Sequence, residues 1–81
     1  VFFSDTVTQE VAAAALQALD AVHKCGLLHG DVEAPNFMVG EGKQPIVLLL
    51  DFGFSQPSSC GRFLKAERKA LEHLLRDMVV D

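Results

Sequence analysis

Cysteine, basic charge and long apolar runs are all scarce in this chain, and each shortage removes a class of explanation. The two cysteines, Cys25 and Cys60, lack the repeated spacing of a disulfide framework, so packing has to hold the fold. With His23 and His29 they supply zinc-binding atoms, but no CxxC or HxxxH pair is present, and packing and capping are the simpler roles for all four. Lysine and arginine number seven against eleven acidic residues, for a net charge of −4. That balance argues against nucleic acid as a partner, because binding a phosphate backbone needs a basic face. The stretch Ile46-Val47-Leu48-Leu49-Leu50 is strand-sized and far short of a membrane span. Val1-Phe2-Phe3 lacks the basic start and long apolar core of a signal peptide, and the expectation is an intracellular, cytoplasmic protein without a membrane partner.

What is present is concentrated in two short acidic segments. The first is His29-Gly30-Asp31-Val32-Glu33-Ala34-Pro35-Asn36 and the second is Asp51-Phe52-Gly53. Between them, Phe37-Met38-Val39-Gly40 and Ile46-Val47-Leu48-Leu49-Leu50 read as strands, joined by a glycine-rich polar turn that ends at Pro45. The pattern predicts an antiparallel hairpin. In such a hairpin the start of one strand lies beside the end of the other, so Asn36 and Asp51 arrive together. Magnesium prefers oxygen ligands and is usually fixed by one or two protein groups with substrate phosphates, and one Asn and one Asp meet that need. Asp31 enters the same region from the preceding loop, whose shape Pro35 restricts by removing a backbone donor and biasing Ala34 toward extended geometry.

Helices are expected on either side. The first spans about residues 8 to 24, with Thr6 or Thr8 as cap, Gly26 as stop, and an apolar stripe of Ala12, Ala15, Leu16, Leu19 and Val22. Leu27-Leu28 reads as a short buried strand leading to His29. The last helix repeats the stripe with Ala70, Leu71, Leu74, Leu75 and Met78, and Glu67 falls on it one turn earlier. A carboxylate on a buried stripe is costly unless hydrogen-bonded. Two readings stay open for Glu67, an anchor for backbone amides or a glutamate at a helix start favoured by the macrodipole. Arg62, Lys65, Arg68 and Lys69 cluster nearby, but the four-residue spacing of Arg68, Glu72 and Arg76 reads as a solvated face with local ion pairs. Ser55, Ser58 and Ser59 read as loop formers.

The D-x4-N spacing of Asp31 and Asn36, the DFG triplet at Asp51-Phe52-Gly53, and the order helix, loop, hairpin, triplet, helix together resemble the large lobe of the protein-kinase-like superfamily. The fold class this implies is α+β, a partial kinase-like large lobe, with residues 1–81 expected to be a fragment that lacks the small lobe. The resemblance implies an ATP-dependent phosphotransferase. Asp31 would be the catalytic base, Asn36 and Asp51 would bind the nucleotide's magnesium ion, and His29, Phe52, Gly53 and Glu67 would support the site. It implies ATP and Mg2+ as cofactors, and a nucleotide and a hydroxyl-bearing substrate, protein or small molecule, as partners. By the same analogy His29 packs beneath the loop near the DFG turn, and Glu67 holds amides of the turn from His29 to Asp31.

Two positions depart from ordinary protein kinases. Gly30 stands where they carry arginine, a form similar to the atypical and small-molecule branches such as the RIO-like and aminoglycoside-phosphotransferase-like kinases. Without that arginine a phosphorylated activation loop has no obvious partner. Glu33 stands where they place a lysine against the transferred phosphate. No glycine-rich loop, V-A-I-K lysine or partner glutamate precedes the first helix, and only thirteen residues, 54–66, separate DFG from the core of the last one. An inactive kinase-like nucleotide-binding or regulatory module that has lost transfer, or a truncated gene product, is therefore the alternative.

Overall fold

The computed structural model describes residues 6–40 and 46–79. The hairpin turn expected over residues 41–45 lies outside the described residues. The architecture is α+β: helix α1 (Gln9–Lys24), strand β1 (Leu27–Leu28), a short 3-10 turn (Ala34–Asn36), strands β2 (Phe37–Gly40), β3 (Ile46–Leu49) and β4 (Gln56–Pro57), and helix α2 (Gly61–Met78).

Helix α1 starts at Thr8, not Thr6. The Thr8 hydroxyl oxygen accepts from the Val11 amide at 3.2 Å, satisfying one of the donors a helix start leaves unpaired. Its end is set by Gly26, whose φ of +78° suits a residue without Cβ and whose amide donates to the His23 carbonyl at 2.9 Å. Ala12, Ala15 and Leu19 are buried along one side, and the alanines let neighbouring elements approach closely. In α2 the buried residues are Leu71, Leu75 and Met78, whereas Ala70, expected on the stripe, is exposed. The helix begins at Gly61, six residues before Glu67. That rules out the helix-start reading of Glu67, since the macrodipole acts only within the first turn.

The hairpin pairs Phe37 with Leu49, Met38 with Leu48, Val39 with Val47 and Gly40 with Ile46. Opposed residues share a face, so Phe37, Val39, Val47 and Leu49 form one side and pack on the core, with Phe37 fully buried. The other side carries Ile46 and Leu48, both more than half exposed. A shift of one residue in register would exchange these faces, so the core contact of Phe37 and Val47 holds the register. Helix α1 packs against β3 and against α2. A parallel bridge between Val7 and Val79, in which the Val7 amide donates to the Met78 carbonyl at 2.9 Å, joins the start of α1 to the end of α2.

The pairing of β4 with β1 has no counterpart in the sequence reading. Leu27 lies opposite Pro57 and Leu28 opposite Gln56, extended by the Ser58 amide donating to the Gly26 carbonyl at 2.8 Å. Two residues are too few to carry an alternating pattern, and Pro57 removes a ladder donor. The partnership is decided by where α1 and the hairpin deliver the two segments.

Candidate functional site

The site is built around one buried ring. His29 is fully buried. Its Nε2 is 2.7 Å from the Leu50 carbonyl and its Nδ1 accepts the Asp31 amide at 3.1 Å, which requires the tautomer with the proton on Nε2. Its edge meets Phe52 with ring centroids 4.9 Å apart and planes at 67°. One side chain thus bridges the Asp31 loop, the end of β3 and the turn that follows.

Asn36 makes a second bridge. Its side-chain amide donates to the Asp31 carbonyl at 2.7 Å, and its own carbonyl accepts from the Leu50 amide at 2.7 Å, extending the hairpin beyond Phe37 and Leu49. The 3-10 turn with Pro35 near its start sets the direction of this residue. Asp51 follows with φ of +59°, the one positive φ outside glycine among the described residues. Its Oδ1 accepts the Gly53 amide at 3.2 Å, a local bond that lets aspartate occupy a left-handed conformation. Asp31, Asn36 and Asp51 therefore stand on segments tied to one another at one end of the hairpin.

The donor set suits a hard cation. Asn36 commits its nitrogen to the loop and leaves Oδ1 with no hydrogen bond among the described residues; Asp51 commits one oxygen to its turn and leaves the other in the same condition. Each side chain is thus oriented by one atom and offers another, and two oxygen donors are what magnesium takes when phosphates and waters complete its shell. The four thiol and imidazole donors weighed above for zinc are deployed elsewhere. His23 and His29 are committed to Glu67 and the Leu50 carbonyl, and Cys25 and Cys60 are exposed thiols.

Glu67 anchors the loop from below. Its Oε1 accepts from the His29 amide at 2.9 Å and meets His23 Nε2 at 2.8 Å, while Oε2 accepts from the Gly30 amide at 2.8 Å. Burial pushes its pKa up, but the Gly30 amide, the His23 ring and the His29 amide together outweigh burial and hold the carboxyl below the ordinary glutamate value. The ionised form is the one this pocket is built for.

Sequence reasoning missed His23. The signal was present: His23 follows Leu19 by four residues, continuing the α1 stripe as Glu67 begins that of α2, so two polar groups end two packed stripes on facing helices. The ion pair of Arg68 with Asp20, which joins the same helices, was also not foreseen. The predicted pair of Arg68 with Glu72 is present at 3.8 Å. Ser55 and Ser58 form turns: the Ser55 hydroxyl donates to the Phe52 carbonyl at 2.8 Å, and the Ser58 hydroxyl oxygen accepts the Cys60 amide at 3.2 Å. No helix among the described residues is long and apolar enough to cross a membrane.

No protein-family profile matches the chain. It is 40% identical over 55 residues to the serine/threonine-protein kinase spe-6 of Caenorhabditis elegans, a match covering 67% of this chain and 14% of that protein. Over 53 residues it is 40% identical to the serine/threonine-protein kinase cot-1 of Neurospora crassa, covering 65% of this chain and 8% of the relative. A probable serine/threonine-protein kinase of Dictyostelium discoideum is 39% identical over 56 residues, 67% of this chain and 11% of that protein. The matches thus span a small part of each curated relative's length. About two thirds of this chain is similar in sequence to serine/threonine protein kinases, and that similarity suggests a protein-kinase-like region.

Proposed function

We propose that this chain carries the catalytic and metal-binding loops of an ATP-dependent phosphotransferase acting on a hydroxyl group, as part of a kinase-like large lobe. The observation that carries this reading is the bond from the Asn36 side chain to the Asp31 carbonyl, next to the hairpin end from which Asp51 projects. Three oxygen-bearing side chains at kinase spacings stand on segments that hydrogen bonds tie to one end of the hairpin, which supports this reading. The left-handed Asp51 adds support, because strained backbone persists where surrounding structure and function demand it. When bound, magnesium–ATP supplies the transferable phosphoryl group. Asp31 accepts or orients the proton of the acceptor hydroxyl. Asn36 and Asp51 would hold the metal, each having a side-chain oxygen outside its own hydrogen bond. His29 and Glu67 keep the loop backbone in place beneath Asp31.

The names of the relatives favour a serine or threonine acceptor, whereas Gly30 favours the small-molecule branches. One observation supports a second reading, a nucleotide-binding module without transfer: Glu33 is exposed two residues after Asp31, where its charge would repel a transferred phosphate. The test is transfer from Mg-ATP in the full protein. Asp31→Asn is expected to abolish transfer and leave nucleotide binding within about threefold, whereas Asp51→Asn weakens magnesium-dependent binding. Equal transfer rates in wild type and Asp31→Asn would remove Asp31 as base. Nucleotide binding with no transfer in wild type would establish the second reading.

A further inference from the structure

Two glycines near the site lie in the left-handed region, Gly26 at φ +78° and Gly30 at φ +92°. Their surroundings differ. A Cβ on Gly26 would meet nothing within 4 Å, whereas one on Gly30 would lie 2.3 Å from the Phe54 carbonyl oxygen, 2.8 Å from its carbon and 3.0 Å from the Phe54 Cβ. Gly26 is required by its conformation alone. Gly30 is required by its conformation and by a backbone seated where a side chain would be.

That backbone belongs to the segment just after Asp51-Phe52-Gly53, whose Ser55 amide closes a turn on the Phe52 carbonyl at 3.0 Å. Gly30 is also held through its amide, which donates to Glu67 Oε2 at 2.8 Å. Gly30 is thus held between the α2 carboxylate and the post-Asp51 turn, one residue before Asp31.

We infer that Gly30 is a positioning residue: the space left by its missing side chain is the seat for the Phe54 carbonyl, and this contact sets the Asp51–Gly53 turn against the Asp31 loop. An arginine-bearing loop can hold the following segment through side-chain pairing with a phosphate. Here the two halves of the site meet with the Phe54 backbone seated at Gly30, without any side chain between them. The inference concerns the same site as the proposed phosphotransfer and takes its probe ligand from that reading.

The test separates conformational strain from steric seating. Asparagine tolerates left-handed φ better than other residues with a Cβ; Gly30→Asn introduces the clash on top of a backbone strain that Gly26→Asn shares, so Gly26→Asn is the control for that strain. Both variants are made in the full chain. Amide exchange at Gly53 and Ser55, read without nucleotide, reports the turn directly. Gly30→Asn is expected to speed it at least about tenfold and Gly26→Asn to leave it unchanged. Affinity for Mg2+ with a non-hydrolysable ATP analogue is expected to fall at least about tenfold in Gly30→Asn and to stay unchanged in Gly26→Asn. Equal exchange in the two variants would overturn the inference. If Gly30→Asn does not fold, the wild type decides: a cross-relaxation peak between Gly30 Hα and Phe54 Hβ protons is required, and its absence overturns the seating. Failure of wild type to bind the analogue would count against the phosphotransferase reading alone, since exchange and cross-relaxation need no ligand.

Discussion

Glu67→Gln puts the anchoring of the loop to a quantitative test. The carboxylate accepts three hydrogen bonds, from the His29 and Gly30 amides and from His23, at 2.8–2.9 Å. Glutamine keeps the size and one oxygen but turns an NH2 toward at least one of these donors. A part-buried donor left unpaired costs about 1–3 kcal/mol, and losing charge assistance on the remaining bonds adds about 1 kcal/mol. Because Gly30 is exposed to water on this side, the lower end applies, and the expected loss is about 2–3 kcal/mol. Glu67→Ala, which removes every acceptor, is expected to cost at least as much, about 3 kcal/mol. The pH dependence has a definite sign. The folded-state pKa lies below the ordinary value, so the contribution is complete above the unfolded pKa of about 4.3 and is lost as pH falls through the folded pKa. Urea unfolding of wild type and Glu67→Gln at pH 7 and at pH 3 measures both terms. The gap should be full at pH 7 and smaller at pH 3. A gap below about 0.5 kcal/mol at pH 7, within the range of ordinary surface substitutions, or one that does not change with pH, would refute the reasoning.

Three further outcomes follow from the packing. Phe37→Ala empties a fully buried position under the hairpin and is expected to cost about 3–5 kcal/mol in the same unfolding assay, whereas Leu48→Ser on the outer face changes stability by no more than about 0.5 kcal/mol. Comparable losses at the two positions would mean that the hairpin faces are assigned the wrong way round. Thr8→Ala removes the side-chain acceptor for the Val11 amide and should lower stability by about 1 kcal/mol, visible as faster amide exchange in the first turn of α1. Arg68→Ala breaks a pair with Asp20 in which both side chains are close to half exposed; the loss should stay below about 1 kcal/mol and shrink with added salt.

Much of the candidate site could be read from order and spacing because its parts are local. A D-x4-N interval and a short hairpin, which the Leu50 amide extends by donating to the Asn36 carbonyl, place Asn36 and the turn at Asp51 at the same hairpin end with few degrees of freedom, and hairpin register follows from alternating burial. The amides that meet Glu67 belong to the turn expected from the kinase resemblance, which supplied a distant contact that periodicity alone leaves ambiguous. His23 escaped because a histidine near a helix end has several ordinary roles. Its partner lies 44 residues away, and only the crossing of α1 and α2 selects it.

By itself, then, the sequence determined the two helices, most of their buried stripes and the pairing of the hairpin strands. Those features depend on backbone preference and on neighbours three, four or a few residues away, which are present in any conformation the segment adopts. Tertiary structure alone decided the pairing of β1 with β4, the hydrogen bond of His23 with Glu67, the ion pair of Arg68 with Asp20 and the seating of Phe54 on Gly30. Each requires two segments to be delivered to one place by the packing of α1, α2 and the hairpin. Its energy exists only once that packing is complete, and no local pattern encodes it.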